Sequence, residues 1–326
     1  MRSFLFFIYL TLISNLSLAA SNDKPNLDFK SEKHISWEEW KKQLGLQLSG
    51  QFSEDTLRNL ESLTLNKKVI ELDRKQPEFT LEFQNYLSKR INKSVIKKIN
   101  NISNENNDLL NLIEQKYKVD KSIILSLWSI ETAFGKYIGK FDIIRSLASL
   151  AYDGRRKDFF LKELSKALQI LDEKHLNSNE FRGSWAGAFG QTQFMPSTFA
   201  SYAVDFDKNG KKDLFNKTDA LASAANYLSR MGWNNEILWG EKIKVKLTDD
   251  LFRLFETKTS RSVDFWLKKG IILKKNYNKN QKLRLIIPDN NNHFFLVSKN
   301  FDVILKWNRS NYFALTVFLL ADEVKR

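Results

Sequence analysis

From Leu109 onward, apolar residues recur at three- and four-residue intervals through successive segments at 108–117, 120–134, 141–151 and 157–174. That period lines up side chains on one face of a helix, so the stretch can bury its apolar surface only as packed helices. A further helix is expected at 218–231, and another after Pro196, a residue suited to a first helical turn. Ahead of these, residues 36–100 read as polar-faced helices. "SWEEWKKQLG" opens on Ser36 as N-cap and closes at Gly45 as C-cap, and "SEDTLRNLESL" opens on Ser53. Pro77 then breaks the pattern before Phe79, Phe83, Tyr86 and Leu87, which share a face. The polar run "NNISNENND", residues 100–108, reads as a linker or an exposed loop.

The last third changes character. "KLRLIIP" and "HFFLVS" read as short strands around a "DNNN" turn, and "NYFALTVFLLADEV" closes the chain as a helix. No solenoid-type repeat is present. The class is mainly α (α+β), with a helical core at about 109–235 and a small antiparallel β element at 263–300.

Hydrophobic content of 42% and aromatic content of 13% exclude a disordered chain. The net charge of +14 favours an anionic partner, although Lys and Asn enrichment throughout the 326 residues accounts for it equally well. No nucleic-acid motif or long basic run accompanies the charge, so nucleic acid is not an expected partner. The first twenty residues, "MRSFLFFIYLTLISNLSLAA", combine Arg2, an apolar stretch from Phe4 to Ile13, and a small-x-small ending at Ala19. This is the pattern of a secretory signal. An uncleaved anchor is the alternative, and the shortness of the apolar run counts against it. The expected location is the periplasm, with no stable membrane anchor. There is no cysteine. That removes disulfides, a thiol nucleophile, thiolate metal sites and a lipoprotein attachment point, leaving stability to the hydrophobic core.

"SLWSIETAFG", residues 126–135, sets a carboxylate into an apolar stripe: Glu131 follows Leu127 by four residues and Trp128 by three, and precedes Phe134 by three. A partly buried, structurally paired Glu is one reading. The other is a general acid, since lost hydration of the charged form helps a carboxyl keep its proton. Glycosidic cleavage uses such a group, usually with a second carboxylate opposite. Asp142 and Asp153 are candidates for that partner by position only, each better suited to a cap or an ion pair.

Asp205, Asp207, Asn209 and Gly210 match positions 1, 3, 5 and 6 of a calcium loop, with the Lys211 carbonyl at position 7. Position 12 is Asn216 in place of Glu, and Asp219 at position 15 could supply the late carboxylate of a longer loop. A polar turn without metal is the competing account. In "RGSWAGAFGQTQFMPS", Ser184 lacks a nucleophile-elbow context, and none of the three histidines makes a triad. Gln191, Gln193 and the neighbouring aromatics suit a groove for a polar ring-shaped ligand, while Gly187 and Gly190 suit close helix packing equally well.

Taken in order, "ELDRKQPEFT", "SLWSIETAFGKYIGKFDIIRSLASLAYDGRRKDFF", the long "RGSWAGAFGQTQFMPSTFASYAVDFDKNGKKDLFNKTDALASAANYL" and "WNRSNYFAL" strongly resemble the lytic murein transglycosylase B family. The resemblance runs from about His34 to Val324. It implies a lysozyme-like helical core, a helical domain built from N- and C-terminal segments, and a small antiparallel β domain. On this chain the divisions fall at 1–20 (signal), 21–108, 109–235 (core, with the ion loop at 205–219), 236–262, 263–300 (β domain) and 301–326. The resemblance makes Glu131 the catalytic acid and places Tyr86, Ser184, Gln193, Tyr227 and Asn308 along the sugar groove. Trp307 stands where the family more often has Tyr, so a hydroxyl contact is not expected there. It also implies an elongated EF-hand-like loop holding a structural calcium (or sodium) ion through Asp205, Asp207, Asn209, Lys211 and Asp219, with no cofactor for catalysis.

The implied reaction is cleavage of peptidoglycan glycan strands between N-acetylmuramic acid and N-acetylglucosamine, leaving a 1,6-anhydro end. A muramidase on the same fold and a non-catalytic wall-binding protein are the rival readings.

Overall fold

The computed structural model describes residues 35–75, 82–289 and 293–325. The signal-like segment 1–20, Pro77, Phe79 and most of the "DNNN" turn lie outside the described residues.

In chain order the first elements are α1 (Trp37–Leu48), α2 (Glu54–Glu61), α3 (Lys67–Arg74), α4 (Phe83–Ser88), α5 (Lys93–Glu105), α6 (Asn107–Tyr117) and α7 (Lys121–Thr132). Next come β1 (Phe141–Asp142), α8 (Ile143–Asp153), α9 (Lys157–Asp172), β2 (Arg182–Gly183), α10 (Pro196–Tyr202) and α11 (Lys217–Arg230). The chain continues with β3 (Gly240–Ile243), α12 (Asp249–Glu256), β4 (Arg261–Ser262), α13 (Val263–Lys268), β5 (Lys282–Ile286), β6 (Phe294–Val297), α14 (Lys299–Trp307) and α15 (Asn311–Val324). Two units emerge, one from residues up to 78 with 131–223, the other from 79–130 with 224–326.

The first unit is built on α8. Its "IIRSLASLA" is buried along nearly its whole length, because Ala and Ser between the Ile and Leu residues let neighbouring helices come close on every side. α8 packs on α3 and α9, and α9 carries α10. Asp142 caps α8 by accepting from the Arg145 amide at 2.9 Å. Trp37, Trp40 and Tyr152 form an aromatic cluster with ring centroids 5.3–5.7 Å apart, fastening α1 to α8. Buried Asp73 receives the guanidinium groups of Arg155 and Arg156, so its charge is paired where water is excluded.

In the second unit α15 is the buried element, with Phe313, Leu315, Val317 and Phe318 among its core residues, and it packs on α4, α5 and α14. The sheet has the order β3-β6-β5-β4, antiparallel throughout, with Gly240 opposite Val297 and Leu285 opposite Leu296. Its inner face packs on Leu251 and Trp266, and the Trp266 indole N–H donates to the Leu283 carbonyl at 3.0 Å.

Three expectations need correction. α1 runs through Gly45 to Leu48, because Leu44 and Leu48 are both buried and continue the apolar stripe. That burial outweighs the cost of about 1 kcal/mol for glycine inside a helix. Residues 100–108 are helical on both sides of a turn at Asn106 and not a linker or loop: α5 ends at Glu105, and α6 starts at Asn107. Their polarity is that of an exposed helical surface. The sheet also takes in β3, ahead of the 263–300 stretch, and buries Glu241 there. Its carboxylate accepts from the Lys274 and Lys275 amides at 2.9–3.1 Å, which offsets the cost of its burial. Among the described residues no helix is long and apolar enough to cross a membrane.

Candidate active site

Glu131 is the next-to-last residue of α7 and is only 9% exposed. The helix stops one residue later, since Ala133, Phe134 and Gly135 all take left-handed backbone angles, with φ of 51°, 65° and 79°. Each non-glycine residue held there costs about 1–2 kcal/mol, so the surroundings must specify the turn. Thr132 does much of this. Its hydroxyl donates to the Gln191 carbonyl at 2.7 Å and accepts from the Gly135 amide at 2.9 Å, while its carbonyl accepts from the Tyr137 amide at 2.9 Å. Gly135 is required twice over, by its φ and because a Cβ there would sit 2.5 Å from the Gln191 side-chain oxygen.

Residues 182–197 fold back along this turn. β2 pairs with β1, Phe141 opposite Gly183, and beyond it the Ser184 amide donates to the Ala188 carbonyl at 2.7 Å. The Ser184 hydroxyl accepts from the Ala188 amide at 3.0 Å. Gln193 has a φ of 54°, and its side-chain N–H groups reach the carbonyls of Ile138 at 3.1 Å and Gly190 at 2.9 Å. Its Oε1 is buried with no hydrogen-bond partner among the described residues. A buried acceptor left open beside such a turn is suited to a ligand N–H or O–H.

The ties Thr132–Gln191, Ile138–Gln193 and β1–β2 thus gather the segments carrying Glu131, Ser184 and Gln193 into one neighbourhood of the first unit. Gln191, also expected in the groove, has structural ties: its side-chain N–H donates to the Phe215 carbonyl at 2.6 Å and its amide to the Leu214 carbonyl at 2.8 Å.

The two acids weighed as a second carboxylate are committed elsewhere. Asp142 caps α8 and lies 3.9 Å from Arg182, while Asp153 pairs with Arg74. Sequence reasoning passed over a different acid. Glu163 on α9 is 3% exposed and accepts from the Ser197 amide at 2.9 Å and hydroxyl at 2.6 Å, serving the N-terminus of α10, which has no side-chain cap of its own. The signal was available, since Glu163 follows Phe160 by three residues within an apolar stripe, as Glu131 does Trp128.

Burial holds the Glu163 carboxyl above the usual glutamate range, against the opposing pull of the Ser197 donors. The folded chain keeps a proton that the unfolded chain releases, so this group's contribution is full at low pH and declines as pH rises above about 4.5. Glu163→Gln keeps a donor and an acceptor for Ser197 but cannot titrate. Its melting midpoint relative to the parent is therefore expected to rise between about pH 4 and pH 8. A difference independent of pH would refute the assignment.

The loop 205–219 brings carboxylate oxygens of Asp205, Asp207 and Asp219 within 4.8 Å of one another. Its shape is set by its own side chains. Asp205 accepts from the Asn209 and Gly210 amides at 3.1 and 2.8 Å, Asn209 from the Lys211 amide at 2.9 Å, and Asp207 from the Asn216 side chain at 2.8 Å. Asp219 is fully buried and accepts from the amides of Phe206 at 2.7 Å and Asp213 at 2.9 Å. Burial, with the charge of Asp207 acting in the same direction, holds its carboxyl above the usual range despite those donors. Clustered carboxylates of Asp205, Asp207 and Asp219 make a hard oxygen-donor set of the kind that fits calcium.

Tyr86, Tyr227 and Asn308 belong to the second unit. Tyr86 is buried, with the Arg90 guanidinium 3.7 Å from its ring centroid and Tyr312 at 5.6 Å. The Tyr227 hydroxyl donates to the Lys306 carbonyl at 2.8 Å, and its ring meets Trp307 edge-on at 5.2 Å. Asn308 ends α14, and its side-chain oxygen accepts from the Ser310 amide at 3.1 Å.

The sequence matches the Transglycosylase SLT domain over residues 36–322. It is 31% identical over 225 residues to the membrane-bound lytic murein transglycosylase B of Escherichia coli K12, an alignment covering 68% of this chain and 61% of that protein. The chain thus spans about 61% of that relative's length. Among solved structures, Pseudomonas aeruginosa SltB3 matches with a TM-score of 0.84 and 34% identity, over 90% of this chain and 80% of that one. It has been solved with NAG-NAM-pentapeptide and with NAG-anhNAM-pentapeptide. The E. coli lytic transglycosylase Slt35, solved with calcium, matches with a TM-score of 0.75 and 26% identity, over 87% of this chain and 92% of that one.

Proposed function

Because the chain belongs to the Transglycosylase SLT domain family, we propose that it is a peptidoglycan lytic transglycosylase with Glu131 as its single acid and base. Protonated Glu131 donates to the bridging oxygen as the bond from C1 of N-acetylmuramic acid to that oxygen breaks. The N-acetyl carbonyl of the same sugar shields the developing cation, so no second protein carboxylate is needed. The glutamate then accepts the proton of the C6 hydroxyl as O6 closes on C1. One proton leaves Glu131 and one returns, no water is consumed, and the product carries a 1,6-anhydro ring.

The observation that carries this reading is the placement of Glu131, a buried carboxyl on a braced helix end, while the two acids weighed as a second carboxylate are tied to arginines. A relative that binds both a NAG-NAM and a NAG-anhNAM fragment supports the same substrate and product for this chain. Ser184 and Gln193 bind sugar beside Glu131 in the first unit, the open Gln193 Oε1 accepting from a sugar substituent. Tyr86, Tyr227 and Asn308 are the sugar-binding residues proposed for the second unit. The protein is exported to the periplasm, where its net charge of +14 favours an anionic wall polymer, an attraction that salt weakens.

Mass analysis of soluble products from purified wall sacculi tests the reaction. Anhydro-muramic ends are expected. Reducible ends would favour a muramidase, and binding without cleavage would favour a wall-binding protein.

The loop 205–219 holds a structural calcium ion through Asp205, Asp207, Asn209, the Lys211 carbonyl and Asp219. Its contribution is to neutralise the carboxylates and fix the loop. Adding calcium to ion-stripped protein at a hundred times its dissociation constant is expected to stabilise the fold by about 2.7 kcal/mol. That is a midpoint rise of roughly 5 °C or more, reversed by a chelator. An equal rise with sodium alone would assign the loop to sodium, and no rise with either would refute an ion there.

A further inference from the structure

Gln191 ties two segments of the first unit together. Its main chain and side chain both grip the ion loop, through the Leu214 carbonyl at 2.8 Å and the Phe215 carbonyl at 2.6 Å. Its own carbonyl receives the hydroxyl of Thr132, the residue bonded to Glu131, at 2.7 Å. On the loop side the chain of contacts continues without a gap. The Phe215 amide donates to Asp213 at 2.7 Å, and the Asp213 amide donates to Asp219 at 2.9 Å. Five residues therefore connect the deepest carboxylate of the ion loop to the turn that ends the Glu131 helix. That turn is also the most strained described segment near the acid, with two successive non-glycine residues at positive φ. Such a turn persists only while its neighbours hold it, so whatever orders Gln191 orders the end of α7.

We propose that Gln191 and Thr132 are positioning residues through which the ion loop and Glu131 are coupled: an ordered loop fixes the carboxyl, and the intact turn tightens the loop's hold on its ion. The coupling rests on Glu131 being the acid and on calcium being the ion. By linkage it works in both directions, so a change at Thr132 must be felt at the ion loop.

Calcium titrations by calorimetry on the full ion-stripped chain test this without reference to activity. Thr132→Val and Gln191→Leu are each expected to weaken calcium binding about threefold or more, and the double variant no further than the weaker single one. Thr132→Ser, which keeps the hydroxyl, is expected to retain the parent affinity. Should Gln191→Leu fail to fold, Gln191→Met completes the same cycle. On a soluble NAG-NAM oligomer, the two disrupting variants are expected to lose about tenfold or more in kcat with KM within about twofold. Parent-level calcium affinity in Thr132→Val, or effects that multiply in the double variant, would overturn the coupling. A parent enzyme that leaves reducible ends would overturn the reaction assignment alone, since the calcium cycle stands apart from the product formed.

Discussion

Glu131→Gln is expected to cut the release of anhydro ends from wall sacculi by roughly 10²–10⁴-fold, the range set by loss of a positioned general acid. The exchange is nearly isosteric and leaves an amide able to hydrogen bond, but an amide has no proton to give the bridging oxygen and cannot take one from the C6 hydroxyl. Both halves of the reaction fail together. The melting midpoint of the variant is expected to stay close to the parent's, because the side chain keeps its volume and Thr132 braces the turn behind it. Product release followed by mass analysis, with a thermal scan of the same preparations, separates chemistry from folding. A variant that clears sacculi at the parent rate would remove Glu131 from the mechanism.

Gly139→Ala carries the second large effect, on stability. Gly139 has a φ of 97°, and a Cβ there would lie 2.0 Å from the Gly183 carbonyl oxygen and 2.7 Å from the Ser184 amide nitrogen. Both obstacles are backbone, held by the pairing of β1 with β2, so neither can swing aside. Overpacking together with the unfavourable φ is expected to cost about 3 kcal/mol or more. The corresponding fall in melting midpoint is roughly 6–12 °C. Gly50→Ala is the control: its φ of 79° is also positive, but nothing lies within 4 Å of the added atom, so only the conformational cost of about 1 kcal/mol remains. Equal midpoints for the two variants would show that the β1–β2 approach is not tight in solution. Because the displaced backbone leads into Ser184, the Gly139 variant is further expected to bind glycan more weakly at temperatures where it remains folded.

The comparison of Glu131 with Glu163 shows how far sequence reading reaches. Both are acids in apolar helical stripes, and both are buried. Periodicity detects each of them and cannot tell them apart, because what separates them is the partner. Glu163 is answered by Ser197, thirty-four residues away, and is spent on holding α10. The same holds for Gln191 and Gln193, two residues apart in one motif. Gln191 turns its side chain to Phe215, while Gln193 keeps a buried oxygen open beside the turn after Glu131. Neighbours in sequence carry no record of which distant carbonyl each will meet.

What the amino-acid order determined by itself is local. The apolar period set the helices, Ser36, Ser53 and Pro196 marked their starts, and the Asp-x-Asp-x-Asn-Gly run shaped the 205–219 loop through bonds among its own residues. Glu131 stood out because one charged group interrupts an otherwise apolar face. Tertiary structure decided the rest. It carried α1 through Gly45 to keep Leu44 and Leu48 in the core, and it added β3 to the sheet once Glu241 found the Lys274 and Lys275 amides. It also bound Thr132 to Gln191 across fifty-nine residues. The physical reason is the same in each case: a helix or a tight loop satisfies its polar groups within a few residues, whereas a buried carboxylate, amide or strained turn is stable only through partners that folding brings from elsewhere.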